Sequence, residues 1–445
     1  MRDGLRLPDT VSNPVSLAGV GVATAAAAVF LVLVLLESFE LLVNPYLGLL
    51  IFVTVPLVFL AGLLLIPMGA WWAARRRRLR PEAPEWPVID LNRPRQRAWT
   101  VLVLALTFVN VVIVSLAAYG GVHYMESDEF CGQVCHTTME PEFVAHQAGP
   151  HARVSCTACH VGPGVGSFVE AKLAGTRQLY HLVTGQVPRP VPTPVRSLGR
   201  TSDTCEGCHL TDRLYGDVPV AIREYGADED VTEYVTALRL HLGGPDAGIH
   251  RHVGLDIEYV TTDEARETIP LVRVRAADGS VREFRADGVS DEAIAAGTRR
   301  QMDCLDCHSR PAHIFFPSAA RAVDDAIAGG RIPRELPFVR REAVAAVEAE
   351  HPDRETALDA IATHLRAFYA EYPDADLGAV ARAVSASQDL WTQNVFPAMR
   401  VTWGSYASHL GHLDTPGCFR CHDDGHRTPD GATISQGCEL CHAFE

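Results

Sequence analysis

The sequence predicts a mainly α fold: three N-terminal transmembrane helices followed by an exported, water-soluble domain with a small β-containing insert. Three observations predict it. Long uncharged apolar runs are confined to the first 123 residues, charge is unevenly spread, and twelve cysteines fall into six regularly spaced pairs. With 47% hydrophobic and 21% charged residues among 445, the chain has the composition of a folded protein, which excludes global disorder and collagen-like structure.

The runs Val15–Leu36, Leu47–Trp72 and Trp99–Tyr119 contain no charged residue. A bilayer core needs about 20 helical residues, and each run is long enough. Buried core helices are the competing reading, but three such runs are not expected in one soluble domain. The first run is longer than a secretory signal core and lacks a small-residue cleavage site, so it reads as a retained anchor. The connector after the second run contains Arg75, Arg76, Arg77, Arg78, Arg80, Arg93, Arg95 and Arg97 against Glu82, Glu85 and Asp90. The connector between the first two runs holds Glu37 and Glu40 and no basic residue. Basic loops stay cytoplasmic, so this connector and the N-terminus, with Arg2 and Arg6, read as cytoplasmic, and everything after Tyr119 as exported. Trp71, Trp72, Trp86 and Trp99 fall near the expected interfaces, where indole rings are favoured.

Residues 1–123 hold ten Arg against seven acidic residues, whereas the remainder holds 29 basic against 47 acidic. A domain that acidic is a poor nucleic-acid binder and suits a basic partner. Nearly all the basic residues are Arg, and the single lysine is Lys172.

Five segments read Cys-x-x-Cys-His: Cys156–His160, Cys205–His209, Cys304–His308, Cys418–His422 and Cys438–His442. A sixth, Cys131–His136, has one more residue between its cysteines. Cys131, Cys135, Cys156, Cys159, Cys205, Cys208, Cys304, Cys307, Cys418, Cys421, Cys438 and Cys441 are thereby all used, which leaves none for a disulfide. Two thiols a short turn apart form thioethers with the two vinyl groups of a haem, and the next residue, His, reaches the iron from the same side. Zinc knuckles share the Cys-x-x-Cys spacing but need no His at the following position. Thioredoxin-like chemistry needs one such pair, not six. The motifs therefore predict six covalently bound haem c groups, with His136, His160, His209, His308, His422 and His442 as proximal ligands. Covalent haem is attached outside the cytoplasm, the side on which the arginine distribution puts all six motifs. The predicted fold class is then complete: the exported part is a periplasmic multihaem cytochrome c domain.

Thirteen further histidines exceed what six irons need, so every iron can be six-coordinate and suited to electron transfer. Candidates near motifs are His146, His151, His181, His241, His250, His252, His313, His409, His412 and His426, with His151, His181 and His313 the strongest. Met139, three residues after His136, offers a thioether, which raises a haem potential relative to imidazole. His351 and His364 lie in helical stretches far from a motif.

The membrane domain spans 1–123, and the motifs after it group as three, one and two. Residues 124–209 form a three-haem module in which porphyrin must supply much of the core. Pro188, Pro190, Pro192 and Pro194 suggest an extended connector. In the insert, 210–300, alternation over Asp256–Val260, Leu271–Arg275 and Val281–Arg285 predicts short strands, with Ala-Asp-Gly-Ser as a hairpin turn between the last two. Residues 301–393 read as a single-haem helical module, with Leu358, Ile361, Leu365 and Phe368 on one apolar face. Residues 394–445 form a two-haem C-terminal module.

The stretch Asp128–Gly185 resembles the membrane-anchored multihaem quinol dehydrogenases of the NapC/NirT type. The residues that carry the resemblance are Glu129-Phe130-Cys131, Cys135-His136-Thr137-Thr138-Met139, His151 before Cys156-Thr157-Ala158-Cys159-His160, and Ala171-Lys172-Leu173-Ala174-Gly175-Thr176-Arg177-Gln178-Leu179-Tyr180. The whole architecture, with the tail Asn394–His442 and its Trp403-Gly404-Ser405-Tyr406, is similar to larger inner-membrane multihaem cytochromes of metal-reducing bacteria. The resemblance implies a bacterial inner-membrane location, with the N-terminus cytoplasmic and the haem domain periplasmic. It implies oxidation of a membrane quinol, menaquinol or ubiquinol, and delivery of electrons to a periplasmic acceptor such as a basic cytochrome. Smaller members have one anchor helix and four haems, so three helices and six motifs are a departure.

The family's quinol site pairs a Lys with a nearby acid. Lys172 matches the Lys, Gln178 stands where the acid is sought, and His123, at the outer end of the third helix, is a second candidate proton acceptor or haem ligand. Arg stays charged, whereas a Lys pKa falls readily on burial, so Lys172 suits hydrogen bonding to a quinone oxygen or proton movement. Two other functions stand beside this one. An electron-relay subunit of a larger respiratory complex would use the extra helices to hold partners. A terminal multihaem reductase of a small oxyanion would need a five-coordinate haem.

Overall fold

The computed structural model describes residues 13–38, 50–78, 90–134, 136–162, 164–193, 198, 201–209, 216–243 and 248–445. Arg2, Arg6, Glu40, Trp86, Cys135, Pro194 and residues 79–89 of the Arg-rich connector lie outside them. The chain divides into two compact units, Met1–Val134 and Cys135–Glu445.

The first unit holds α1 (Pro14–Ser38), α2 (Val55–Arg78), which follows a π-helical turn at Leu50–Thr54, and α3 (Pro94–Met125). Three stretches, Pro14–Val34, Leu50–Arg76 and Pro94–Met125, are long and apolar enough to cross a membrane. Glycine lets α1 and α2 approach closely: a Cβ added at Gly62 would stand 2.6 Å from the Ala23 backbone nitrogen. Small residues serve this purpose between helices in lipid, where apolar burial alone gives no drive to associate. Ser16 adds a hydrogen bond across the pair, its Oγ donating to the Ile66 carbonyl at 2.9 Å. Phe30, Ile51, Val55, Phe59 and Ala117 form the buried centre. Leu104 and Phe108 of α3 are more than 60% exposed, a surface that suits lipid and not water. The third helix runs past Tyr119 to Met125, so His123 is helical.

The second unit begins with α4 (His136–Ala148) and α5 (Gly164–Val183). Two antiparallel sheets follow. One has the order β1 (Asp217–Tyr225), β2 (Glu233–His241), β7 (His442–Phe444). The other has the order β5 (Val281–Arg285), β4 (Leu271–Arg275), β3 (Asp256–Thr261), β6 (Thr298–Gln301). The β4–β5 hairpin aligns Arg275 with Val281 across a turn in which Gly279 adopts φ +83°, a conformation that favours glycine. The chain terminus returns to β2, with Leu240 opposite His442 and Leu238 opposite Phe444.

Four helices make the densest core: α6 (Ala319–Ala328), α7 (Val339–Glu348), α8 (Arg354–Tyr369) and α9 (Leu377–Asn394). Ser318, Asp353 and Asp376 cap α6, α8 and α9 by accepting first-turn amides, which satisfies donors that have no intrahelical partner. The face α8 buries is centred on Ala357, Ile361, Leu365 and Tyr369, with Leu358 and Phe368 half-buried at its margins. It packs with Val323, Val347, Leu390 and Trp391.

Candidate functional site

Motif cysteines fall on short helical turns. Cys156–His160 is one turn of α-helix, whereas Cys304–Asp306, Gly417–Arg420 and Cys438–Leu440 are 3-10 turns. A turn brings the two thiols to one side and carries the following His around with them. The His308 and His422 amides donate to the carbonyls of Cys304 and Cys418, at 2.8 and 3.0 Å, closing these turns. Cys159, Cys205, Cys208, Cys304, Cys307, Cys418, Cys421, Cys438 and Cys441 are free thiols.

Four motif histidines face a second histidine. Ring centroids lie 6.2 Å apart for His160 and His313, 6.0 Å for His209 and His151, 5.8 Å for His422 and His252, and 6.2 Å for His442 and His412. Two metal–nitrogen bonds of about 2 Å plus the ring dimensions would give about this separation, so the spacing of each pair is compatible with one shared metal atom. Burial first, and then the neighbouring His250 and His209, disfavour protonation of His308. The side chain of His136 lies outside the described residues.

Hydrogen bonds fix which ring nitrogen is left over. Carbonyls of Glu142, Pro311 and Ile249 lie 2.8, 3.0 and 2.8 Å from Nδ1 of His313, His151 and His252, and each can accept its N–H. The Ser435 carbonyl does the same for the motif residue His422 at 2.8 Å. Nε2 is then the nitrogen free to ligate, the arrangement that orients metal-binding imidazoles generally. Burial pushes the pKa values of His160, His250, His252, His308 and His313 down, which favours the neutral imidazole a metal takes. Nδ1 of His181, His250 and His442 is buried with no hydrogen-bond partner. Motif thiols outside any disulfide, neighbouring imidazoles and orphaned ring nitrogens together fit covalently bound haem.

Other histidines are occupied. His426 is 2% exposed, with Nδ1 bonded to Asp423 Oδ1 at 2.9 Å and Nε2 to the Ile269 carbonyl at 2.7 Å. Nε2 of His146 contacts the Val154 carbonyl at 3.0 Å and that of His409 the Ala265 carbonyl at 2.8 Å, while Nδ1 of His409 is buried with no hydrogen-bond partner. His241 is paired with Asp217, and His364 with Glu342. Met139 lies on α4, three residues after His136.

Lys172 and Gln178 both lie on α5. Six residues of helix separate them by about 240° around the axis, so they do not share a face. Lys172 Nζ stands 4.9 Å from the Phe168 ring centroid, four residues earlier, and Gln178 is exposed. His123 belongs to the first unit and sits beside Tyr119, ring centroids 6.3 Å apart.

Sequence reasoning passed over Glu142, whose carboxylate pairs with Arg310 and whose carbonyl holds His313. It also passed over Asp306 and Arg420, which lie inside motifs and bond across to other segments. Their positions between paired cysteines were the available signal.

Residues 93–191 match the NapC/NirT cytochrome c family, N-terminal region. The chain is also similar to the cytochrome c-type protein ImcH of Geobacter sulfurreducens, with 38% identity over 443 residues, covering 97% of this chain and 87% of that protein. No solved structure matches.

Proposed function

The chain belongs to the membrane-anchored multihaem c-type cytochromes of the NapC/NirT family, and from that premise we propose that it carries six haem c groups, oxidises a membrane quinol and passes the electrons to a periplasmic acceptor. The single observation that carries the electron-transfer reading is the facing of motif histidines by second histidines about 6 Å away. A c-type haem, when bound, accepts and releases one electron at a time.

In this reading His313, His151, His250, His252 and His412 are the second ligands opposite His160, His209, His308, His422 and His442. His181 and Met139 remain for His136. His146, His409 and His426 are structural, because backbone carbonyls or Asp423 already engage their ring nitrogens. Glu142, Pro311 and Ile249 hold the ligating rings through their carbonyls, and so limit rearrangement when charge changes at the metal.

Quinol oxidation releases two electrons and two protons in all, so a group that hydrogen-bonds the quinol oxygen and can take its proton must meet it while electrons leave one by one. Lys172 is the proposed hydrogen-bonding residue, as the family pattern implies. The contact of its ammonium with the Phe168 ring limits its freedom on α5. Gln178, on another side of the helix, is not proposed as its proton partner, and His123 is retained as a candidate acceptor. The location proposed is the bacterial inner membrane, with the Arg-rich connector inside and the haem domain outside.

The test is reduction of the full-length protein in detergent by a soluble menaquinol or ubiquinol analogue. Lys172→Gln is expected to slow quinol-driven haem reduction by roughly 10-fold or more, the scale of a lost general acid–base contribution, while dithionite reduces it as before. An unchanged quinol rate in the variant removes Lys172 from the mechanism.

A further inference from the structure

Between Cys418 and Cys421 of the fifth motif stands Arg420. Its Nε donates to the Gly417 carbonyl at 2.8 Å, its Nη1 to the Arg266 carbonyl at 2.8 Å, and its Nη2 to the Asp306 carbonyl at 2.6 Å. All three acceptors are neutral carbonyls. Asp306 lies between Cys304 and Cys307 of the fourth motif, so Arg420 ties the two attachment loops together.

Asp306 is 1% exposed. Its Oδ1 accepts from Arg266 Nη1 at 2.6 Å, Arg300 Nε at 2.7 Å and the Tyr259 hydroxyl at 2.6 Å, and its Oδ2 from the Asp303 amide at 2.7 Å. Asp303 also meets Arg300, at 2.9 Å. Arg266 and Arg300 thus share two carboxylates, while Arg420 donates only to carbonyls. Arg266 is 4% exposed, and its Nε is buried with no acceptor. Its backbone is left-handed, at φ +60°, which no glycine eases; its carbonyl meets Arg420 and its side chain meets Asp306. Asp423, two residues after Cys421, directs its Oδ1 to the amides of Gly425 and His426 and to the His426 ring.

We infer that Arg420, held by the Arg266 and Asp306 carbonyls, is a fixed positive charge built into the junction of the fourth and fifth attachment loops, and that it raises the reduction potential of the haem pair held there. A cation in a poorly solvated site stabilises the state that has gained one electron over the state that has not. Arg420 acts as a positioning residue, through charge and through the fixed loops, and is not a ligand. The inference rests on the reading that these two loops carry haem.

The experiment is a spectroelectrochemical titration of the full-length protein in detergent, with covalent haem counted for each variant. In Arg420→Gln two of the six haems are expected to titrate at more negative potential while the count stays at six, and Arg420→Lys is expected to keep the wild-type curve. A glutamine variant that superimposes on wild type, or a lysine variant that shifts as far as glutamine does, overturns the inference. Arg420→Met, which keeps the aliphatic stem, repeats the test should the glutamine variant fold poorly. Loss of the fourth and fifth haems from both neutral variants, with the other four kept, also overturns it and makes Arg420 a folding staple. Absence of covalent haem from the wild-type protein is a different result, and it defeats the functional reading itself.

Discussion

At the scale of single residues, the division between ligating and structural histidines makes sharp expectations. His313→Ala should leave one haem with a single protein ligand and convert it from low to high spin, visible by electron paramagnetic resonance in the oxidised protein. His426→Gln should keep six low-spin haems and lose roughly 1–3 kcal/mol of stability, because a buried hydrogen-bonded ring is disturbed. A low-spin spectrum in the His313 variant would remove His313 from the ligand set. His409 gives a pH dependence. Burial holds its pKa down to about 4, with the nearby Arg420 acting in the same direction. The unfolded chain, at about 6.5, therefore takes the proton first. The contribution of neutral His409 is fully present above about pH 6.5 and is lost as pH falls towards 4, by at most about 3 kcal/mol. Thermal melts at pH 7 and pH 4.5 should show a smaller acid loss in His409→Gln than in wild type, and equal losses would contradict this. The motif cysteines and histidines were legible residue by residue, because Cys-x-x-Cys-His is a local pattern. Which candidate histidine stands beside which motif histidine was not: His151 lies 58 residues before His209, and His252 lies 170 before His422, so only folding brings them together.

At the scale of elements, local pattern decided what could be read. Strands β3, β4 and β5 alternate, and they were expected within one residue of their bounds. Strands β1 and β2 were not expected, although Val218, Val220 and Ile222 alternate in β1; only Tyr225 and Leu238 of the two strands are buried, so neither presents a clear core face. The partner of β2 comes from the last three residues but one of the chain, and no local signal announces a register closed over about two hundred residues. Membrane helices were legible from the absence of charge over their whole length, although α3 ends six residues later than its apolar run. The helical bundle α6–α9 holds no haem motif, so its packing and the haem chemistry should separate. Leu365 is fully buried in it. Leu365→Ala is expected to cost about 2–5 kcal/mol of stability while leaving the visible spectrum of the folded protein unchanged. A spectral change in the folded variant would mean that this core positions haem directly.

On the scale of the whole molecule, the account joins a helical membrane anchor to an acidic domain whose histidines face one another in pairs. The anchor brings the chain to where a quinol resides, and the paired histidines suit irons that carry electrons without binding substrate. The fold class and family follow from the apolar runs and the motifs. Haem number and spin state are the quantities on which the functional reading turns. The most direct measurement is the ratio of covalently bound haem c and of iron to protein in the purified full-length chain, together with the spin state of the oxidised iron. The account predicts six of each per chain, all low spin; zinc in place of iron, or no haem surviving denaturation on the polypeptide, would contradict it.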